Sequence, residues 1–160
     1  KIQKFSLVVC AFCLVVIFTF SIYRGVVENK TNLARGAPFT KFARVSAWLA
    51  QNTDRGEIIF HDNWDSSPYL FYHNTHNYYL VGLDPTFMYL YNKDLYWYWV
   101  NITTGKQASN LKNTIQEKFH SNYVLVDKDH KEMENNLTRS GDFKKVYQDE
   151  EASVYKITTF

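Results

Sequence analysis

The sequence predicts an α/β fold: a mostly parallel sheet with helices on both faces and a C-terminal antiparallel hairpin, preceded by one transmembrane helix. Three observations carry this expectation. An uncharged apolar run, Phe5 to Tyr23, stands first. Beyond it, short runs rich in β-branched and aromatic residues alternate with stretches whose apolar residues recur every three to four positions, the order of strands joined by crossover helices. Finally, two apolar runs separated by the acidic turn Gln148 to Ala152 make the simplest hairpin.

The nineteen residues from Phe5 to Tyr23 cover about 28 Å as a helix, close to the hydrocarbon thickness of a bilayer. Lys1, Lys4 and Arg24 flank them, and Ser21 to Gly25 offers no small-residue cleavage site, so a spanning helix is preferred to a signal peptide. The division expected is a transmembrane helix over 1–24, a linker over 25–37 and an α/β domain over 38–160. Cys10 and Cys13 lie within the apolar run, where a thiol behaves as a small hydrophobe. The chain opens on Lys1 rather than methionine, as the tail of a longer protein would.

Pro38 suits the first turn of a helix continuing to Asn52 through Phe42, Val45 and Leu49. Glu57 to His61 reads as the first strand. Asp65 to Asn74 reads as a short helix with Asp65 as its N-cap and Pro68 in its first turn. Asn77 to Gly82 is the second strand, and Asp84-Pro85-Thr86 opens one helix running to about Val100. Leu111, Ile115 and Phe119 mark a further helix, Tyr123 to Val126 a third strand, and Asp129 to Arg139 a polar helix or loop. Phe143 to Tyr147 and Ser153 to Ile157 form the hairpin.

Right-handed crossovers make the first three strands parallel and put Asp62, Asp84 and Asp127 at the same edge, where parallel strands open into a ligand crevice. The candidate ligand-binding residues are accordingly His61, Asp62, Asn63, Trp64, Asp65, Asp84 and Asp127. Asp65 and Asp84 have a second reading as helix caps. Aromatic rings and amides suit a sugar, and they suit a ligand-free polar network equally. His61, Asp62, Asp65, His73 and His76 include no pair at a recognised metal-ligand spacing, so no metal or other cofactor is assigned. The sequence has no G-x-S-x-G, G-x-G-x-x-G or Walker pattern, and no catalytic residue is assigned. A net charge of +2, with basic and acidic residues interspersed, excludes an evident nucleic-acid surface.

The segment from Phe87 to Val100 carries apolar and aromatic residues on nearly every helical face. Tyr89, Tyr91, Tyr96, Trp97, Tyr98 and Trp99 fit a membrane interface, where one side of a ring is apolar and the other wet. They fit packing within the domain's own core as well.

The spanning helix, the block WLAQNTDRGEIIFHDNWDSSPYLFYHNTHNYYLVGLDPTFMY and the ending NYVLVDKDH…FKKVYQDEEASVYKI together resemble the carboxyl-terminal region of polytopic GT-C-type membrane glycosyltransferases. That resemblance implies an upstream multi-helix membrane domain, a lipid-linked sugar donor and an extracytoplasmic location for the α/β domain. It also implies that catalytic acidic residues lie in an amino-terminal loop outside this chain. The expected function is an accessory domain that positions acceptor or donor, with the bilayer and a glycan or lipid-linked sugar as partners. The alternative is a single-pass membrane protein whose α/β domain binds a ligand or partner without chemistry.

Overall fold

The computed structural model describes residues 2–158; Lys1, one of the flanking charges, lies outside them. Residues 1–38 and 39–160 form two compact units. The first contains helix α1, Ile2–Arg35. Its segment Val9–Ala34 has a mean hydropathy of 2.1 and is long and apolar enough to cross a membrane, with none of it buried. The stretch expected as a linker is therefore helical as far as Arg35. Its polar residues support the helix locally: Arg24 pairs with Glu28 one turn on at 3.2 Å, and the Thr31 hydroxyl donates to Val27 O.

The second unit is a three-layer α/β structure. Its strands are β1 (Ile58–His61), β2 (Tyr78–Tyr79), β3 (Ser121–Asp127), β4 (Phe143–Gln148) and β5 (Ala152–Ile157). They lie in the order β2-β1-β3-β5-β4, with β2, β1 and β3 parallel and the β4–β5 hairpin antiparallel. Alternation along each strand splits the core in two, because successive side chains point to opposite faces. Phe60, Val124, Val126, Tyr155 and Ile157 join one cluster. Ile59, Tyr123, Leu125, Ala152 and Val154 join the other.

Helices α2 (Ala43–Asn52) and α3 (Ser67–His73) cover the second face through Val45, Leu49 and Leu70. Helices α5 (Lys93–Thr103), α6 (Leu111–Phe119) and α7 (Lys131–Ser140) cover the first through Trp99, Ile102, Leu111, Ile115, Met133 and Leu137. The remaining helix, α4 (Thr86–Tyr91), packs on α5 and buries no residue fully.

Several boundaries differ from the expectations. Helix α2 starts at Ala43, five residues after Pro38. Its start is set by Phe42, which takes a left-handed conformation with φ 62° and donates its N–H to the Glu151 carboxylate at 2.8 Å. Asp65 does not cap α3. It lies in a 3-10 turn, Trp64–Ser66, and its own N–H is received by the Asn63 side chain at 3.4 Å. The single helix expected from Asp84 to Val100 is two helices. Asn92 is extended, and its Oδ1 accepts from the amides of Asp94 and Leu95 at 2.9 and 3.1 Å, capping α5. Asp129 to Arg139, left open between helix and loop, is helical from Lys131. Acidic Glu132 and Glu134 stand in the first turn of α7 and Arg139 in the last, and Gly141 closes it in the left-handed conformation.

Candidate functional site at the strand ends

The carboxyl ends of β1 and β3 converge as the parallel topology requires. Asp62, one residue past β1, is buried, and its Oδ2 accepts the backbone N–H of Asp127 at 2.6 Å. The same oxygen lies 2.6 Å from Nδ1 of His130, an imidazole about one-third exposed. Asp127 in turn accepts from Lys41 Nζ at 3.1 Å through Oδ2 and from the Asp129 N–H at 3.2 Å through Oδ1. Two carboxylates thus alternate with a lysine and a histidine. Each buried charge has an opposite one beside it, which is the condition for keeping it in a low-dielectric site. Asp62 Oδ1 is buried and has no hydrogen-bond partner among the described residues.

The close approach of the Asp62 carboxylate raises the His130 pKa above the ordinary histidine value; partial burial opposes it, and the charges of Asp62, Asp127 and Asp129 add attraction. The imidazolium form is therefore the one this site favours. His61 is the opposite case. It is fully buried, its Nδ1 lies 3.0 Å from Asn63 O, and its Nε2 lies 3.2 Å from the amide nitrogen of Val81. An amide can only donate, so Nε2 accepts, and Nδ1 carries the proton toward the Asn63 carbonyl. Burial pushes this ring below its ordinary pKa against the attraction of Asp62. His61 consequently ties the end of β1 to the residues following β2. Trp99 fixes the same end from α5, donating its indole N–H to His61 O at 2.9 Å.

The structure therefore brings Asp62 and Asp127 together, while His61 and Asn63 bond each other and the segments after β1 and β2. Trp64 and Asp65 are exposed on the turn that follows β1. Asp84 is exposed elsewhere, just before α4, and accepts from the Thr86 N–H at 2.8 Å; hydrogen bonds from the Thr86 side chain and then its backbone hold the Asp84 pKa below the usual carboxylate value. Of the aromatic residues assigned to an interface, Tyr91, Trp97 and Tyr98 are exposed, and Tyr89 and Tyr96 are half-buried with their rings edge-on at 5.3 Å. Trp99 is only 6% exposed and belongs to the core, because its ring fills the cluster on the α5 face while its N–H is used by His61 O.

Two members of the cluster were missed in the sequence. His130 had a readable signal, since Asp127-Lys128-Asp129-His130 follows a strand just as His61-Asp62 does. Lys41 had none, for it reaches Asp127 across 86 positions of sequence. Among the described residues no group of three or more His, Cys, Asp or Glu side chains is placed to hold a metal ion.

Chemically, the cluster is a set of paired charges at the strand ends, with buried carboxylates and part-exposed His130 and Lys41. The buried carboxylate orients His130 and braces β3, and it presents no oxygen to solvent. Acid/base work on a bound molecule needs a titratable side chain within hydrogen-bond reach of it, and in this cluster that group is the part-exposed His130 imidazole rather than a carboxylate. Compared with known proteins, the chain matches no family model and no curated protein sequence at a significant level.

Proposed function

We propose that the chain is the membrane-anchored accessory domain of a polytopic GT-C-type glycosyltransferase that uses a lipid-linked sugar donor. It holds acceptor or donor in place and contributes no catalytic residue. The observation that carries this reading is the pairing of a membrane-length apolar helix with an α/β unit whose strand-end carboxylates are spent on each other's surroundings. A domain so arranged is suited to holding a shape, and the exposed Trp64 beside the strand end offers a ring on which a sugar face can stack. The resemblance of the tail to that enzyme class is what implies a lipid-linked donor and an extracytoplasmic side.

The test is saturation-transfer NMR on the full chain in phosphatidylcholine nanodiscs, against monosaccharides and polyprenyl-phosphate-sugar head groups. Transfer to sugar protons that Trp64→Ala abolishes, with the amide spectrum of the domain otherwise unchanged, is the expected result. A folded chain that takes up none of these ligands overturns the handling role.

A further inference from the structure

A continuous apolar band runs over the α/β unit on the side of α3, β2 and α4. It starts at Phe39, the first residue of the unit, which is 80% exposed and whose ring meets Tyr72 at 6.3 Å. Phe39 and Tyr72 line a groove with Pro68, and Pro68 also borders a second groove with Phe71, Tyr78 and Leu83. Gly82 joins that one to a third, between the segment after β2, α4 and the end of α6, walled by Phe87, Met88 and Tyr91. Tyr89, Tyr96 and Trp97 line a further groove on α4 and α5 with Thr86. Tyr91, which lines the third groove, and its α4 neighbour Leu90 are 84% and 75% exposed. Among the residues lining these grooves Asp65, Asp84 and Lys118 carry full charges, beside His120 and the tyrosine hydroxyls, and Lys93 Nζ lies 5.3 Å from the Tyr89 ring.

We propose that this band is a bilayer-docking surface, seated among the head groups and upper acyl chains of the membrane that α1 crosses. Exposed apolar surface of this extent on a folded unit marks an interaction site. The occupant is read from two features. First, the composition is that of an interfacial belt: tyrosines and a tryptophan whose rings favour hydrocarbon and whose O–H and N–H groups favour water, with aliphatic Leu83 and Leu90 between them. Second, only Gly36, Ala37 and Pro38 lie between the helical Arg35 and Phe39, where the band begins, so the unit is joined by a short tether to a helix long and apolar enough to cross a membrane. The near-neutral lining makes insertion of rings, rather than attraction to anionic lipid, the source of binding.

This surface depends on α1 spanning the membrane and is independent of the glycosyltransferase reading. The experiment uses the full chain in phosphatidylcholine vesicles with a nitroxide at one thiol, comparing collision with oxygen, which partitions into lipid, and with a water-soluble nickel chelate. Three labelled variants are compared. The Cys10→Ala chain carries the label on native Cys13 in α1. The Cys10→Ala/Cys13→Ala/Leu90→Cys chain carries it on the band. The Cys10→Ala/Cys13→Ala/Lys144→Cys chain carries it on exposed β4, at the opposite edge of the sheet.

The label at Leu90→Cys is expected to show an oxygen-to-nickel ratio several-fold above that at Lys144→Cys and approaching that at Cys13. Equal ratios at Leu90→Cys and Lys144→Cys, with Cys13 in lipid, overturn the docking surface alone. A nickel-accessible Cys13 overturns it by removing α1 from the membrane. Spectral broadening at Leu90→Cys that vanishes on dilution with unlabelled chain overturns it in favour of contact with a second copy.

Discussion

Asp62 is the residue on which the strand-end cluster depends, and its effect is measurable through His130. Replacing Asp62 with Asn removes the carboxylate that raises the His130 pKa, so the ring is expected to titrate lower by NMR in Asp62→Asn than in the parent chain. An unchanged His130 titration would discard the assignment. Stability follows with a defined sign. His130 binds its proton more tightly in the folded state, so its contribution is complete below the ordinary histidine pKa of about 6.5 and is lost as pH rises through the raised value. His61 acts the other way, because its folded-state pKa is lowered: its contribution is present above about 6.5 and is lost as pH falls through the lowered value. Denaturant midpoints measured on both sides of pH 6.5 are expected to decline toward each extreme. In Asp62→Asn the alkaline decline flattens and the acid one persists.

Ser121 is a second residue whose role is local and quantitative. The β1–β3 register shifts between Ile58 and Ile59, so that Ile58 faces Ser121 and Ile59 faces Tyr123. The buried Ser121 hydroxyl repairs the irregularity, accepting from the Phe60 N–H at 3.1 Å and lying 2.7 Å from the carbonyls of both Ile58 and Tyr123, between which its one proton is shared. Ser121→Ala leaves a buried amide without its acceptor and is expected to cost about 1–3 kcal/mol in chemical denaturation. A loss well under half a kcal/mol would mean the ladder closes without the hydroxyl.

At the scale of elements, legibility tracked how local the determining physics was. Leu111, Ile115 and Phe119 recur on one helical face, and all three are buried in α6. The β4–β5 hairpin was equally plain, because the turn residues act within their own stretch: Asp149 Oδ1 accepts from both Glu151 N and Ala152 N. Hydrophobicity alone misjudged the segment after Asp84. Its aromatic residues run on without a gap, and the break is made by one polar side chain, Asn92, whose Asn-Lys-Asp context is a capping signal. Asn92→Ala is expected to cost about 1 kcal/mol and to remove amide-exchange protection at Asp94 and Leu95. Retained protection there would show that packing of α4 on α5 holds the break by itself. The start of α2 was illegible for the opposite reason, since Glu151 fixes Phe42 from a position 109 residues away.

For the whole molecule, the parallel order of the first three strands and the two-faced core were readable because strand alternation and crossover handedness are general rules. The composition of the site was only half readable. Its carboxylates stand at strand ends, where a sequence places them, whereas the lysine that neutralises one of them arrives from outside the sheet. Exposure was not readable at all for the aromatic residues. Trp97 and Trp99 are two positions apart, and only the packing of α5 against β1 decides that one faces outward and the other fills the core.

The position of β3 in the middle of the sheet has a consequence for how the chain is made. Its partner β1 is synthesised first, and Asp62 waits 65 residues for the amide of Asp127. At ribosomal rates of about 5–20 residues per second, that interval lasts roughly 3–13 s. During it, β1 has only the two-residue strand β2 to pair with, and although Leu70 of α3 can already cover Ile59, Phe60 waits for Phe119 of α6. The nascent chain is therefore obliged to carry a sticky, half-built layer for seconds before its central strand emerges. Non-local pairing of this kind places the domain among slower folders, and the interval is a window in which chaperone capture or misassociation competes with completion.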